Sequence, residues 1–282
     1  MALIRAMAHA FVIPALAILL LAACASAPTT MPQPSVTVPQ HAPTASGSTE
    51  EPASFPLSEP GLYHVGIRRN FAFHDASRGG REVTITIWYP AVMDQDSTST
   101  RPTNDAVADP TGAPYPLIMS SSKVAFIFGS HLASHGFVVV GINGLDYYIP
   151  WDQNLIDQPL DILFALDQVA ANPLEGLEGM IDAQHTGAMG YSFDGYNSLA
   201  LSGARVDPEF YLAECARTPL RHHWIQFGYC SMSSVWDQFA THAGESITTS
   251  DDGLWQPMTD ERIRAVMPMA PEGVALFGER GL

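Results

Sequence analysis

The residues most able to do chemistry lie in the run Gly190-Tyr191-Ser192-Phe193-Asp194-Gly195. A short apolar segment, HTGAMG (185–190), precedes it, and a helix-like segment continuing through SLALSGA (198–204) follows. A serine at such a strand-to-helix corner is a candidate nucleophile of the G-x-S-x-G elbow type. The corner strains the backbone, so residues two before and two after the serine should be small for strand and helix to approach. The serine hydroxyl then points away from the sheet, and the next backbone N–H faces a reacting carbonyl. Gly190 meets the first requirement. Asp194 stands where the second small residue belongs, and Gly195 comes one position late. A bare G-x-S-x-x-G string is common in loops; the strand and helix around it single out Ser192. Asp194 also reads simply as an acidic residue favoured in a helix's first turn by the macrodipole.

Composition bounds the partners of such a site. The 282 residues are 46% hydrophobic and 15% charged, with 13 Lys+Arg against 29 Asp+Glu, a formal charge of −16. Lys123 is the single lysine. That balance excludes a nucleic-acid binder, because no stretch could neutralise a run of phosphates. It also argues against electrostatic docking on anionic lipid. No CxxC, HExxH or paired-histidine spacing offers a metal site, and no cofactor is expected.

The elements that must hold the corner follow from periodicity. EVTITIWYP (82–90) alternates as a half-exposed strand does, while PLIMS (116–120) and FVVVGIN (137–143) are short apolar runs expected of strands buried on both faces. HLASHG (131–136) resembles a helix end stopped at Gly136. LDILFALDQVAAN (160–172) puts Leu160, Leu163, Phe164 and Leu166 on one helical stripe before Pro173, and RAVMPMAP (264–271) predicts a further buried strand. Strand, helix, strand in alternation predicts an α/β domain over 59–282, a mostly parallel sheet with helices on both faces.

Ahead of it, residues 1–23 read as an export signal. Arg5 precedes FVIPALAILLLAA, which is too short to span a bilayer but suits a signal-peptide core. The ending Leu21-Ala22-Ala23-Cys24 resembles the bacterial lipobox, which implies a signal peptide cut before a lipidated Cys24 and an anchor in the cell envelope, at the outer membrane. The plainer alternative is a secretory signal with Cys24 incidental. Residues 24–58 then form the lipidated cysteine and a tether rich in Pro, Ser and Thr, too poor in apolar residues to fold. In an oxidising compartment Cys215 and Cys230 form a candidate disulfide closing a loop of about 15 residues, worth roughly 3 kcal/mol; two buried thiols are the alternative.

From Gly61 onward the chain resembles the dienelactone-hydrolase-like esterases of the α/β-hydrolase superfamily, particularly the bacterial relatives of platelet-activating-factor acetylhydrolase and of polyester-cleaving cutinases. The phrases carrying the likeness are GLYHVGIRR (61–69), VTITIWYPA (83–91), HLASHGFVVV (131–140), QPLDILFALDQV (158–169), GMIDAQHTGAMGYSFDGY (179–196) and DERIRAVMPMAPEG (260–273), in family order. The resemblance implies a serine that attacks an ester carbonyl, a histidine that takes its proton and an acid that orients the histidine. It further implies short-chain, lipid-like or polyester esters as substrates.

Three departures qualify that implication. Ser121-Ser122-Lys123 replaces the family's Ser-His-Gly or Ser-Pro-Gly, so the oxyanion hole would draw on the Phe193 N–H and on Lys123 or Val124; losing one donor typically costs about 10²–10³ in rate. Asp194 replaces a glycine. Finally, the family places its acid and histidine beyond the ALFGERGL segment (275–282), so the fold is expected to be C-terminally incomplete, its last strand an unpaired edge. His222, His223 and His242 precede the last predicted strand, and His131 and His135 belong to the helix before FVVV, so none stands where the family keeps its base. Glu272, just after a strand, could serve as an acid but would have no histidine to orient. Serine without a base is a poor nucleophile. The expectation is an impaired serine esterase, or alternatively a hydrolase-fold lipoprotein acting as a binding or vestigial module. Trp88, Tyr147, Tyr148 and Trp151 follow strand ends where a cleft would form, or are ordinary packing.

Overall fold

In the computed structural model the chain divides into Met1–Pro52 and Ala53–Leu282. The structure describes residues 58–93, 101–144, 153–217, 230–244, 247 and 249–282. The signal segment, Cys24 and the tether up to residue 57 lie outside these, as do Tyr147, Tyr148, Trp151, His222 and His223.

The strands are β1 (His64–Asp75), β2 (Arg81–Ala91), β3 (Thr103–Asn104), β4 (Tyr115–Ser121), β5 (Val138–Ile142), β6 (Ile181–Tyr191) and β7 (Ile263–Met269). They form one sheet in the order β3-β1-β2-β5-β4-β6-β7. The β1–β2 hairpin is antiparallel and meets β5 antiparallel; β5, β4, β6 and β7 run parallel. Helices α1 (Ser122–Ser134), α2 (Asn154–Ala171) and α3 (Phe193–Leu201) are the crossovers, and α4 (Pro208–Arg217) and α5 (Trp236–Gly244) follow α3.

Alternating side chains feed two cores. Ile85 and Ile87 of β2, Leu117 and Met119 of β4, and Val138 and Val140 of β5 meet Ile162, Ala165, Leu166 and Val169 of α2. On the other face Ile67, Trp88 and Val139 pack under Ala125 and Ala133 of α1. Each of the Val, Leu, Ile and Met side chains contributes about 1.5–3 kcal/mol on burial. β2 is therefore buried on both faces from Ile85 onward rather than half exposed. Its Thr86 and Trp88 read as an outer face in sequence, but α1 comes so close that a Cβ on Gly129 would sit 2.9 Å from the indole. β7 departs the other way. It is the edge of the described sheet, with Met267 50% exposed, and not a buried strand.

Two helices begin earlier than their apolar patterns suggest. α1 starts directly at the end of β4, because Ser121 caps it through its hydroxyl, which accepts the Val124 N–H at 3.3 Å. α2 starts at Asn154 and contains Pro159, whose missing N–H leaves the Leu155 carbonyl without its helical donor. The Tyr196 hydroxyl of α3 donates to that carbonyl at 2.9 Å. Burial raises the Tyr196 phenol above its usual range, so it stays a protonated donor. That one bond satisfies the proline defect and ties α3, and so the candidate nucleophile, to α2.

Candidate active site

β6 ends at Tyr191, α3 begins at Phe193, and Ser192 between them has φ 61° and ψ −121°. A non-glycine residue held at positive φ costs about 1–3 kcal/mol and persists only where its surroundings impose it. The Ser192 N–H donates to the Met269 carbonyl, and the Ser192 carbonyl accepts from the N–H groups of Gly195 and Glu272, each at 3.0 Å. The corner is thus clamped to the end of β7. Close approach explains both glycines. A Cβ on Gly190 would lie 2.0 Å from the Asp194 carbonyl oxygen, and one on Gly195 would lie 2.7 Å from Pro271 Cα. The small residue three places after the serine serves the turn after β7, which is why Gly195 stands one position later than the elbow pattern asks.

That turn carries the second functional group. Ala270 (φ 42°) and Gly273 (φ 68°) curl the chain back after β7. The curl sets the half-buried Glu272 beside the serine, and Ser192 Oγ donates to Glu272 Oε1 at 2.5 Å. Such a length belongs to charge-assisted O–H···O⁻ bonds. Sequence reasoning reached Glu272 only as an acid lacking a histidine to orient; the structure puts its carboxylate directly on the hydroxyl. The available signal was its place one turn past a strand end, on the same edge as the elbow.

The side facing the β4–α1 turn is organised by Asp194. Its carboxylate, in a residue 4% exposed, accepts the Ser121 N–H at 3.1 Å and the Asn197 amide at 3.0 Å. Asn197 donates in turn to Gln158 Oε1 of α2 at 3.0 Å. Asp194 therefore bridges the first turn of α3 to the start of α1 rather than merely decorating a helix end. Phe193, buried, supplies the N–H immediately after the nucleophile. Of the two other oxyanion candidates, Val124 is corrected: its N–H caps back onto Ser121 Oγ, so it does not face a bound carbonyl. Lys123, in the first turn of α1 with an exposed side chain, keeps its backbone N–H at the helix end. An open groove of about 480 Å³ runs past it between Trp88, Phe126 and Ile127. Trp88 is thus mostly packing, 3% exposed, with its remaining edge in that groove.

The described histidines are engaged elsewhere. His242 Nε2 lies 3.1 Å from Asp157 Oδ1, His185 Nδ1 2.7 Å from Asp182, and His135 Nε2 3.0 Å from the Glu59 carbonyl, with the His131 ring tilted against that of His135 at 4.7 Å. Cys215 and Cys230 are bridged, with Cα atoms 5.6 Å apart, joining α4 to the turn before α5. Among the described residues no helix is long and apolar enough to cross a membrane.

Comparison with known proteins bears on part of this site. Residues 84–221 match the family described as PETase: PET hydrolase-like. The match takes in Lys123, Ser192, Phe193 and Asp194 and stops short of Glu272. Among solved structures, a ferulic acid esterase from Streptomyces cinnamoneus is similar at 19% identity, over 51% of this chain and 56% of that one, with a TM-score of 0.38. The chain thus spans little more than half of that protein. Comparison with curated proteins finds no match.

Proposed function

We propose that this chain, whose mostly parallel sheet carries a strand-to-helix elbow at Ser192 and whose residues 84–221 match the PET hydrolase-like family, is an esterase that hydrolyses carboxylic esters through an acyl-Ser192 intermediate, with Glu272 as the base. One observation carries the proposal: the Ser192 hydroxyl, held at a strained corner, already donates to the Glu272 carboxylate. Ser192 Oγ attacks the ester carbonyl while its proton passes to Glu272 Oε1. The carbonyl oxygen becomes an oxyanion against the N–H groups of Phe193 and Lys123. Collapse expels the alkoxide, which takes the proton back from Glu272. Water then gives its proton to Glu272 and attacks the acyl group, and Ser192 leaves as the alkoxide and recovers the proton. A carboxylate is a weaker base than imidazole by about two pK units in reference peptides, so slow turnover is expected.

The substrate is a short-chain, lipid-like or polyester ester. Fluorophosphonate labelling and p-nitrophenyl acetate hydrolysis test the nucleophile. The parent should label and turn over, and Ser192→Ala should do neither; equal turnover by the two ends the proposal. Anchoring through Cys24 is proposed from its sequence context alone. Metabolic labelling with an alkyne-tagged fatty acid should mark the parent in a bacterial host and miss Cys24→Ser, and an unlabelled parent removes the anchor.

A further inference from the structure

In a chain of formal charge −16 cations are scarce, and most of those described face a carboxylate, from Arg68 with Asp105 to Arg280 with Asp207. Among the described residues Arg69 and Lys123 have no such partner, and both line the groove of about 480 Å³ that runs past Trp88, Phe126 and Ile127. We propose that this groove takes the acid half of the ester, an apolar arm ending in a carboxylate that Arg69 and Lys123 hold; this rests on the acyl-Ser192 reading above and names its substrate class.

Two elements bring the cations to one face. Lys123 lies in the first turn of α1. Arg69 comes from β1, where Arg68 pairs with Ile87 and Phe71 with Ile85, so Arg69 and Asn70 together stand opposite Thr86. Asn70 takes φ 62°, and its side-chain oxygen accepts from the Asn143 amide at 3.4 Å. Before this bulge Val65 and Ile67 pack under α1, and after it Phe71 and Phe73 pack on the opposite core. The extra residue thus makes Arg69 the last β1 side chain on the α1 face, beside Thr86 and Trp88. Its guanidinium donates to Asn104 Oδ1, which leaves its other N–H groups for a ligand. No carboxylate among the described residues lines the groove. Phe126 and Ile127 are 77% and 63% exposed, an apolar surface for the arm.

The sheet order assigns the acid half to this side. β6 leads into Ser192, β7 leads to Glu272 on one flank, and β4 leads to α1 on the other. In the proposed chemistry the alkoxide recovers its proton from Glu272, so the alcohol half leaves on the β7 side. The acid half then extends past the Lys123 N–H, over the ends of β4 and β5. Strands lie about 4.8 Å apart, so β5 is about 10 Å from β6, and an arm of that length carries its far carboxylate to the cations. Cleavage of a diacid polyester leaves such half-esters. An exposed ion pair alters an equilibrium by up to about fivefold, so two cations on one carboxylate give about 3- to 30-fold. The rest of this acidic protein repels an anion, so without them the charged ester should be the poorer substrate.

The experiment uses p-nitrophenyl hydrogen suberate, whose extended arm approaches that span and is too long to attack its own ester. Its control is p-nitrophenyl methyl suberate, the same arm without the charge. The readout is the ratio of kcat/KM for the acid ester to that for the methyl ester, taken within each protein so that changes in folding or in the Lys123 N–H cancel. The parent should prefer the acid ester about 3- to 30-fold, through KM. Arg69→Gln and Lys123→Gln should each lower the ratio, and the double variant should bring it to about one or below. Salt at about 1 M, where the Debye length is about 3 Å, should do the same to the parent, and it reads the interaction if a variant does not fold. A parent ratio below about two, with turnover that Ser192→Ala abolishes, overturns the charged acid half and leaves the esterase standing. A preference that survives in the folded double variant overturns the assignment to Arg69 and Lys123. No Ser192-dependent turnover of either ester overturns both readings.

Discussion

Replacing Glu272 by Gln isolates the step on which the proposed chemistry depends. The substitution keeps the side chain's length and shape, and it leaves the backbone bond from the residue 272 N–H to the Ser192 carbonyl in place. The elbow should therefore hold, with stability within about 0.5 kcal/mol of the parent. A glutamine oxygen can still accept the Ser192 hydroxyl but cannot take its proton. General-base assistance is worth about 10²–10⁴-fold, and at 1.36 kcal/mol per tenfold that is about 3–5 kcal/mol of barrier. The hydroxyl already donates to its acceptor at 2.5 Å, so no rearrangement precedes the transfer and a loss within that range is expected. Steady-state kcat/KM on p-nitrophenyl acetate, with melting temperature as the control for folding, measures it. The double variant Ser192→Ala/Glu272→Gln should be no worse than Ser192→Ala alone, because residues that act as a unit are not additive. A folded Glu272→Gln enzyme within threefold of the parent across pH would refute the reasoning, since the carboxylate would then only be holding the hydroxyl.

Three other outcomes test the frame around the site. Gly190→Ala should cost at least about 1–3 kcal/mol, read as a lower urea midpoint or loss of soluble protein, because its Cβ would meet the Asp194 carbonyl oxygen at 2.0 Å; wild-type stability would mean the elbow is looser than described. Reducing Cys215–Cys230 should lower stability by roughly 3 kcal/mol in the loop-entropy picture, and identical urea midpoints with and without reductant would contradict it. Hydrogen bonds from the Arg262 guanidinium lower the Asp260 carboxyl below its ordinary 3.8, against the opposing effect of burial. A group depressed on folding adds stability above its unfolded value and loses it as pH falls through the folded one. The urea midpoint should accordingly fall below about pH 4 and fall less in Asp260→Asn, and a parallel decline in both proteins would assign the acid sensitivity elsewhere.

The elbow was legible in the sequence because its physics is local. A glycine two residues before a serine, between an apolar run and a helical run, states a strained corner without reference to the rest of the chain. The parallel sheet was legible for a similar reason, since β5 and the Pro116–Met119 run of β4 are apolar. What escaped were relations between distant residues. The Ser192–Glu272 bond spans 80 positions and the Ser121–Asp194 bond 73. The start of α2 was hidden because Pro159 reads as a helix stop; only the Tyr196 hydroxyl arriving from α3 makes it tolerable. The alternation of β2 suggested one wet face, and nothing within β2 announces that α1 will lie on it. Lys123 and Val124 were adjacent candidates of equal standing until the Ser121 hydroxyl claimed one of them.

Asp194 and Gly195 together suggest how this corner came to differ from the usual elbow. Three segments meet at Ser192: the start of α3, the turn after β7 and the start of α1. Contact with the turn after β7 is made by backbone, through Ser192, Glu272 and the Gly195–Pro271 approach, and it leaves no room for a side chain at 195. Contact with α1 is made by a side chain, the Asp194 carboxylate, which accepts the Ser121 N–H. The first contact sets the Glu272 carboxylate rigidly on the nucleophile. The second ties the first turn of α3 to the residue that caps α1, so the Phe193 and Lys123 N–H groups belong to one fixed corner. On the proposed chemistry, proton removal worth about 10²–10⁴ is what separates a slow hydrolase from a purely binding module.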